Sequence, residues 1–271
     1  MALTAIVAGY VLWGCAFIYR SSFVINGVRY FCLLDDEMIS MRYAKHLAQG
    51  YGLVFNRGGE RVEGFTNLMW VLYMALLHLL PVSPPKISLL VQLSGLALLA
   101  LNTIVIARLG ELVSGSRRVG LAAAFLSAFY VAINNWGLQG SEVAPLTLLI
   151  SAIALMAIRC VQRQTSPIPL YLLMGFATTF RIDAFLPGLV VLGMLAVVDE
   201  RRRFQHAVIG TLTLALFVAA QTGFNFYYYA YPFPNTYYLK LTGFPLIPRV
   251  TRGAIATYRF VTELNPLLPA W

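Results

Sequence analysis

The chain has 271 residues, of which 59% are apolar and 11% charged, with a formal net charge of +9 and a mean hydropathy of +0.72. A soluble domain carries roughly 25% charged residues, so this composition excludes a water-facing globule, a disordered chain and a disulfide-stapled scaffold. Three scattered cysteines, Cys15, Cys32 and Cys160, suit neither a disulfide framework nor a zinc site. Lys and Arg gather at the ends of apolar runs, which fits membrane topology and excludes nucleic acid as the partner.

The expected fold is an all-α polytopic membrane protein. A helix crosses the hydrocarbon with about 20 apolar residues. In chain order the candidate spans are Thr4–Tyr19, Ile87–Ala107, Val119–Ile133, Val143–Ile158, Pro167–Phe180, Ala184–Val198 and Ala207–Phe226. An eighth run, Asn67–Leu80, is shorter and contains His78, so it reads as a buried or interfacial helix. With that run left out and the N-terminus inside, Arg108, Arg117, Arg118, Arg159, Arg163 and Arg201–Arg203 all fall on cytoplasmic connections, as the positive-inside rule asks. His206, beside the last cluster, reads as a topological residue. Seven spans follow, with an outer loop over residues 20–86. Eight of the eleven acidic residues then share the outer side: Asp35, Asp36, Glu37, Glu60, Glu63, Glu142, Asp183 and Glu263.

The outer loop opens with Asp35-Asp36-Glu37-Met38-Ile39-Ser40-Met41-Arg42. Met38, Met41 and Leu47 fall at helical spacing, and Gly50 is placed to end the helix. Acidic residues at a helix start are favoured by the macrodipole, which is a sufficient structural reason for the cluster. The functional alternative is that two adjacent carboxylates raise one pKa, so that Asp35 or Asp36 serves as a general base toward a hydroxyl. Further along, Asn56-Arg57-Gly58-Gly59 predicts a small hairpin or tight turn. Arg57, Arg61 and Lys86 are candidate phosphate ligands, or else balance Glu60 and Glu63.

Glu142 stands on a short connection before the fourth span. It is either a helix-start carboxylate with Ser141 as cap, or a pocket residue that orients a sugar or a cation. Arg181 and Asp183 interrupt apolar sequence, where charge is costly and marks a functional candidate. Arg181 could hold a donor phosphate with Asp183 fixing it, or the two form a structural ion pair. Phe224–Tyr231 reads mostly as an interfacial aromatic belt. Asn235, Tyr237 and Tyr238 in the following Pro-rich loop suit carbohydrate, and Lys240 suits phosphate. Gly95 and Gly193 read as close-packing positions.

Several stretches taken together resemble a bacterial family of GT-C glycosyltransferases that includes the mycobacterial terminal arabinofuranosyltransferases. They are Asp35–Ala44, Gly52–Asn56, Glu60–Asn67, Gly140–Leu146, Arg181–Leu186 and Tyr231–Lys240. The resemblance covers nearly the whole chain. It implies a GT-C module of about seven transmembrane helices whose first periplasmic loop carries juxtamembrane helices. It implies an inverting transfer from a polyprenyl-phosphate sugar to a cell-envelope glycan, lipid or protein at the outer face of a bacterial inner membrane. Asp35 or Asp36 is then the catalytic carboxylate. Arg181, Arg57, Arg61, Lys86 and Lys240 are the donor-phosphate candidates, and Glu142, Asp183, Glu63, Asn67, Asn235, Tyr237 and Tyr238 the sugar and acceptor candidates. No cofactor is required outright. If a divalent cation is used, Asp35, Asp36 and Glu142 are the candidate ligands. Residues 1–231 form the membrane module. Residues 232–271 form an outer loop and the start of a further span, as in a truncated piece of a longer enzyme. The competing function is a transporter or flippase of lipid-linked sugars, and a non-catalytic scaffold is a third.

Overall fold

The computed structural model describes residues 1–241, 243 and 245–264. The expected further span at 265–271 lies outside the described residues. The chain is mostly helical, with helices α1 (Ala2–Arg20), α2 (Asp35–Ala48), α3 (Leu68–Leu77), α4 (Pro84–Ser114), α5 (Arg117–Ala128), α6 (Val131–Gly137), α7 (Val143–Arg163), α8 (Ile168–Phe180), α9 (Phe185–Val198), α10 (Thr211–Tyr229), α11 (Asn235–Leu241) and α12 (Leu246–Leu264). A short hairpin pairs β1 (Phe23–Ile25) with β2 (Val28–Tyr30). Its turn is Asn26-Gly27, both at positive φ, the conformation that a two-residue hairpin loop requires and that Asn and Gly tolerate. The hairpin expected at Asn56–Gly59 is a tight turn only, closed by Gly59 N donating to Asn56 O at 3.2 Å.

Among the described residues four helices are long and apolar enough to cross a membrane: α1, α4, α7 and the stretch Gln205–Tyr229. A fifth is reached if α5 and α6, bent by 52° at their junction, count as one. Seven spans are therefore not met by length alone. Helix α8 has 13 residues and α9 has 14. At 1.5 Å per residue each covers roughly 20 Å, short of a hydrocarbon core of about 30 Å. Helix α3, at 10 residues, is shorter still, as its low apolar length suggested. Helix α4 runs to 31 residues, roughly 46 Å, beginning on Pro84 and Pro85 where no intrahelical donor is needed.

The α5–α6 bend has an identifiable cause. Asn134 turns back and donates to the Ala128 and Tyr130 carbonyls at 2.7 and 3.0 Å, and accepts from the Tyr10 hydroxyl at 2.8 Å. A side chain that takes up carbonyls at the end of a helix lets the chain break there. The bend carries Trp136 and the connection 138–142 toward the outer loop.

Helices α1, α4 and α7 pack around Tyr10, Ile18, Leu96 and Leu99. Helices α7 to α10 enclose Tyr171, Met174, Leu192 and Leu195. A third cluster joins α2 and α3 to the ends of α8 and α10 through Tyr43, Trp70, Met74, Phe180 and Tyr229. Outward-facing Leu12, Val190 and Leu216 are each about 70% exposed, an apolar exterior that hydrocarbon, not water, would cover. Gly95 sits against the Gly137 carbonyl with no room for a Cβ, whereas Gly193 has nothing within 4 Å, so only the first is a packing position.

One end of the bundle gathers Leu3 with Arg108 and Arg117 around a small cleft. There too Arg202 pairs with Asp199 at 2.6 Å and donates to the Cys160 carbonyl at 3.1 Å. His206 is buried at this end, between the Tyr171 hydroxyl at 2.7 Å and Asp199 at 3.2 Å. It is a packed, hydrogen-bonded residue rather than a topological charge. The loop carrying α2 and α3 caps the opposite end.

Candidate functional site

The site is built where three distant pieces of chain meet at the start of α2. Leu34, which precedes α2, donates from its backbone to Gln139 O at 3.1 Å. Gly140 follows at φ +95°, and a Cβ there would lie 2.6 Å from Leu33, so the connection between α6 and α7 is pressed against the entry to α2. The indole of Trp70, on α3, donates to Gly140 O at 2.8 Å. These contacts bring Glu142, Glu37 and Asn67 together.

Asn67 precedes α3 and is the hub. Its Nδ2 donates to Glu142 Oε2 at 2.9 Å and approaches Glu37 Oε2 at 3.4 Å, while its Oδ1 accepts from Ser40 Oγ at 3.1 Å. Ser141 Oγ donates to Glu142 Oε2 at 3.3 Å. On the other side of Glu142, Arg181 Nη1 pairs with Oε1 at 3.1 Å and grips both oxygens of Asp183 through Nε and Nη2, at 3.1 and 3.0 Å. Arg181 and Asp183 form an ion pair, and the pair continues into the buried carboxylate of Glu142. Glu142 does not spend its side chain on capping α7.

Glu37 and Glu142 are each buried, and Arg181 meets only Glu142. Burial first, and then the negative charge of Glu142, push the Glu37 carboxyl up to about 8. Like-charge repulsion thus acts on Glu37, from Glu142 and then from Asp36. Adjacent helical residues point about 100° apart and do not face each other. Asp35 and Asp36 are exposed, while Glu37 and Ser40 turn inward together. Glu37 is the residue that the motif reading missed. Its spacing of three from Ser40, on the buried face of an amphipathic helix, was the available signal.

A cavity of about 690 Å³ opens over this network. Of the expected site residues it is lined by Asp36, Asn67, Glu142, Arg181, Tyr237 and Lys240, with Glu37 and Ser40 beside them. Asp35 does not line it. Asp183 reaches it only through Arg181. Asn235 acts through its backbone, donating to Glu63 O at 3.0 Å, which seats α11 on the loop, and Tyr238 packs edge-on to Tyr237.

Three of the proposed phosphate ligands stand elsewhere. Arg57 donates to Gln49 at 2.7 Å and lies over the Tyr51 ring. Arg61 lies over Tyr228 at 4.6 Å, and Lys86 is exposed outside the cavity. Neither arginine forms an ion pair with Glu60 or Glu63 among the described residues, so charge balance does not account for them. Glu63 is buried outside the cavity, with Oε2 lacking a hydrogen-bond partner. Burial pushes it up to about 7. The aromatic tract divides. Tyr227 is exposed, as a belt residue would be, but Tyr228 and Tyr229 turn inward and bond the backbone of Leu53 at 2.9 and 3.2 Å.

The residues do not fit a divalent cation. No group of three His, Cys, Asp or Glu side chains converges among the described residues, and both Glu142 oxygens are taken by Asn67, Ser141 and Arg181.

No family model, curated protein or solved structure matches the chain.

Proposed function

We propose that the chain is a membrane glycosyltransferase of GT-C type. It moves a sugar from a polyprenyl-phosphate donor to a glycan, lipid or protein acceptor at the periplasmic face of a bacterial inner membrane, with inversion. The observation that carries this reading is that one cavity is lined by an exposed carboxylate, Asp36, and by two cations, Arg181 and Lys240. Displacement of a lipid phosphate by a hydroxyl asks for a base and for cations in one site. In this reading α8 and α9 complete seven crossings as short, locally accommodated spans, and the arginine-bearing end faces the cytoplasm.

The acceptor oxygen attacks the anomeric carbon. The bond from that carbon to the phosphate oxygen breaks, its electron pair stays on the phosphate, and the hydroxyl proton passes to Asp36. Arg181 and Lys240 stabilise the charge that develops on the leaving phosphate. Glu37, protonated below about pH 8, and Asn67 can donate to sugar hydroxyls. A single displacement with one base inverts the anomeric centre, by analogy with glycosidases in which water replaces the acceptor.

The test is glycan analysis of cells whose only copy carries Asp36→Asn or Asp35→Asn. Loss of one glycosyl unit with Asp36→Asn alone, at normal membrane abundance, is expected. Unchanged glycans with Asp36→Asn would overturn the reading and favour transport of the donor. Single cysteines at Ser22 and Gly58 should be labelled by an impermeant reagent from outside.

A further inference from the structure

Two cavities of different lining flank helix α2. One is the carboxylate cavity over Glu37 and Glu142. The other, of about 1120 Å³, lies along the side of α2 that bears Met38, Met41 and Lys45 and is bounded by the start of α4. No carboxylate lines it. Its basic lining consists of Arg42, Lys45, Arg57, His46 and His78, and Tyr30 and Cys32 are its other titratable groups.

Three of these groups are already committed. Arg42 donates to Phe55 O and Asn56 at 2.7 and 2.9 Å. His46 and His78 each place Nδ1 2.9 Å from a backbone carbonyl. Among the described residues the Lys45 side chain makes no hydrogen bond or ion pair, and Arg57 has only neutral partners, Gln49 and the Tyr51 ring. Burial, with the nearby Lys45 charge adding to it, holds His78 below the usual imidazole range, as expected where positive charge is not neutralised.

Phe31, Met38, Met41, Val82 and Ile87 give the lining an apolar part, beside the neutral polar groups Gln49, Asn56 and Ser88. The volume is that of a large small-molecule pocket, for which about 300–1,000 Å³ is usual, far more than a bare phosphate fills. Unpaired cations beside an apolar recess, at the edge of a membrane bundle, fit an anion that carries a hydrocarbon chain.

We propose that this cavity binds an anionic lipid phosphate, with the phosphate on Lys45 and Arg57 and the chain along Met38, Met41 and Phe31. The site is distinct from the carboxylate cavity and does not depend on the glycosyltransferase reading.

The test uses the full chain purified in dodecyl maltoside, read by thermal unfolding. It is titrated separately with dioleoyl phosphatidylglycerol, farnesyl phosphate, dioleoyl phosphatidylcholine and inorganic phosphate. Saturable stabilisation by phosphatidylglycerol, farnesyl phosphate or both is expected, and which of them acts identifies the source of the phosphate. Lys45→Gln/Arg57→Gln should weaken that binding about tenfold or more, the scale of one charge-assisted hydrogen bond. Lys45→Gln alone should weaken it measurably if the double variant does not fold. Asp36→Asn should bind as the wild type does, which separates this site from the other cavity. Equal stabilisation by phosphatidylcholine or inorganic phosphate, no saturable effect of either anionic lipid, or unweakened binding by the Lys45 variants would overturn the proposal.

Discussion

Asn67 Nδ2 donates to Glu142 Oε2 at 2.9 Å across 75 positions of sequence. The same amide faces Glu37, and its carbonyl oxygen accepts from Ser40. One neutral side chain thus stands between two buried carboxylates and lets them share a wall of the cavity.

Asn67→Ala should be severe for that reason. It removes a donor from both carboxylates and an acceptor from Ser40, and each buried group left unpaired costs about 1–3 kcal/mol. We expect a clear fall in unfolding temperature in detergent. Asn67→Asp should be worse, because it puts a third acid beside Glu37 and Glu142. A stability ranking with Asp at or above Ala would contradict the hub role.

Stability should depend on pH through Glu37. The folded protein keeps this proton up to about 8, whereas an unfolded carboxyl loses it near its ordinary value of about 4.3. The native state therefore binds more protons across that window, and stability falls as pH rises through it. Glu63 acts in the same direction up to about 7. Unfolding temperatures measured from about pH 5 to 9 should decline for the wild type and decline less for Glu37→Gln, with the difference largest near the upper end. Parallel curves for the two proteins would remove Glu37 as the source.

The helices were legible in the sequence because apolar length is a local property: the expected runs fall on helices, with Val119–Ile133 broken between α5 and α6. Their sufficiency as spans was not. Helix α8 ends at Arg181, which reaches across 39 positions to Glu142, and α9 ends at Asp199, which pairs locally with Arg202 and His206; composition does not reveal the first of these partners. Within the site, Asn67, Glu142, Arg181 and Lys240 were nameable as polar residues in apolar company. The division between Asp36 and Glu37 depends on which way α2 is turned. That is fixed by its contacts with α3 and by Gly140, and no residue of α2 specifies it alone. For the same reason Arg57 and Arg181, read together as phosphate ligands, line different cavities.

Arg181 separates binding from stability. Its side chain is 41% exposed but its partner Glu142 is buried, so Arg181→Ala should cost about 1–3 kcal/mol of stability. If it holds the donor phosphate, KM for the lipid donor should rise roughly tenfold or more. Arg181→Lys keeps the charge but cannot grip Asp183 through two nitrogens, and its KM should fall between the two. An unchanged KM in both variants would leave Arg181 a purely structural ion pair.

Gly140 tests whether the α6–α7 connection sets the site. Its φ of +95° is open to glycine and strained for alanine, and a Cβ would press on the Leu33 side chain at 2.6 Å. Backbone strain of this kind costs about 1–3 kcal/mol. Gly140→Ala should therefore lower the unfolding temperature and also disturb the Leu34–Gln139 and Trp70–Gly140 bonds that bring Glu142 to Asn67. Leu33→Ala in the same chain removes the steric contact but not the backbone strain. A double-mutant cycle should then show a coupling between the two sites with part of the loss remaining. Full recovery in the double variant would mean that Leu33 packing alone demands glycine. No coupling would mean that the two segments do not press on each other in the folded protein.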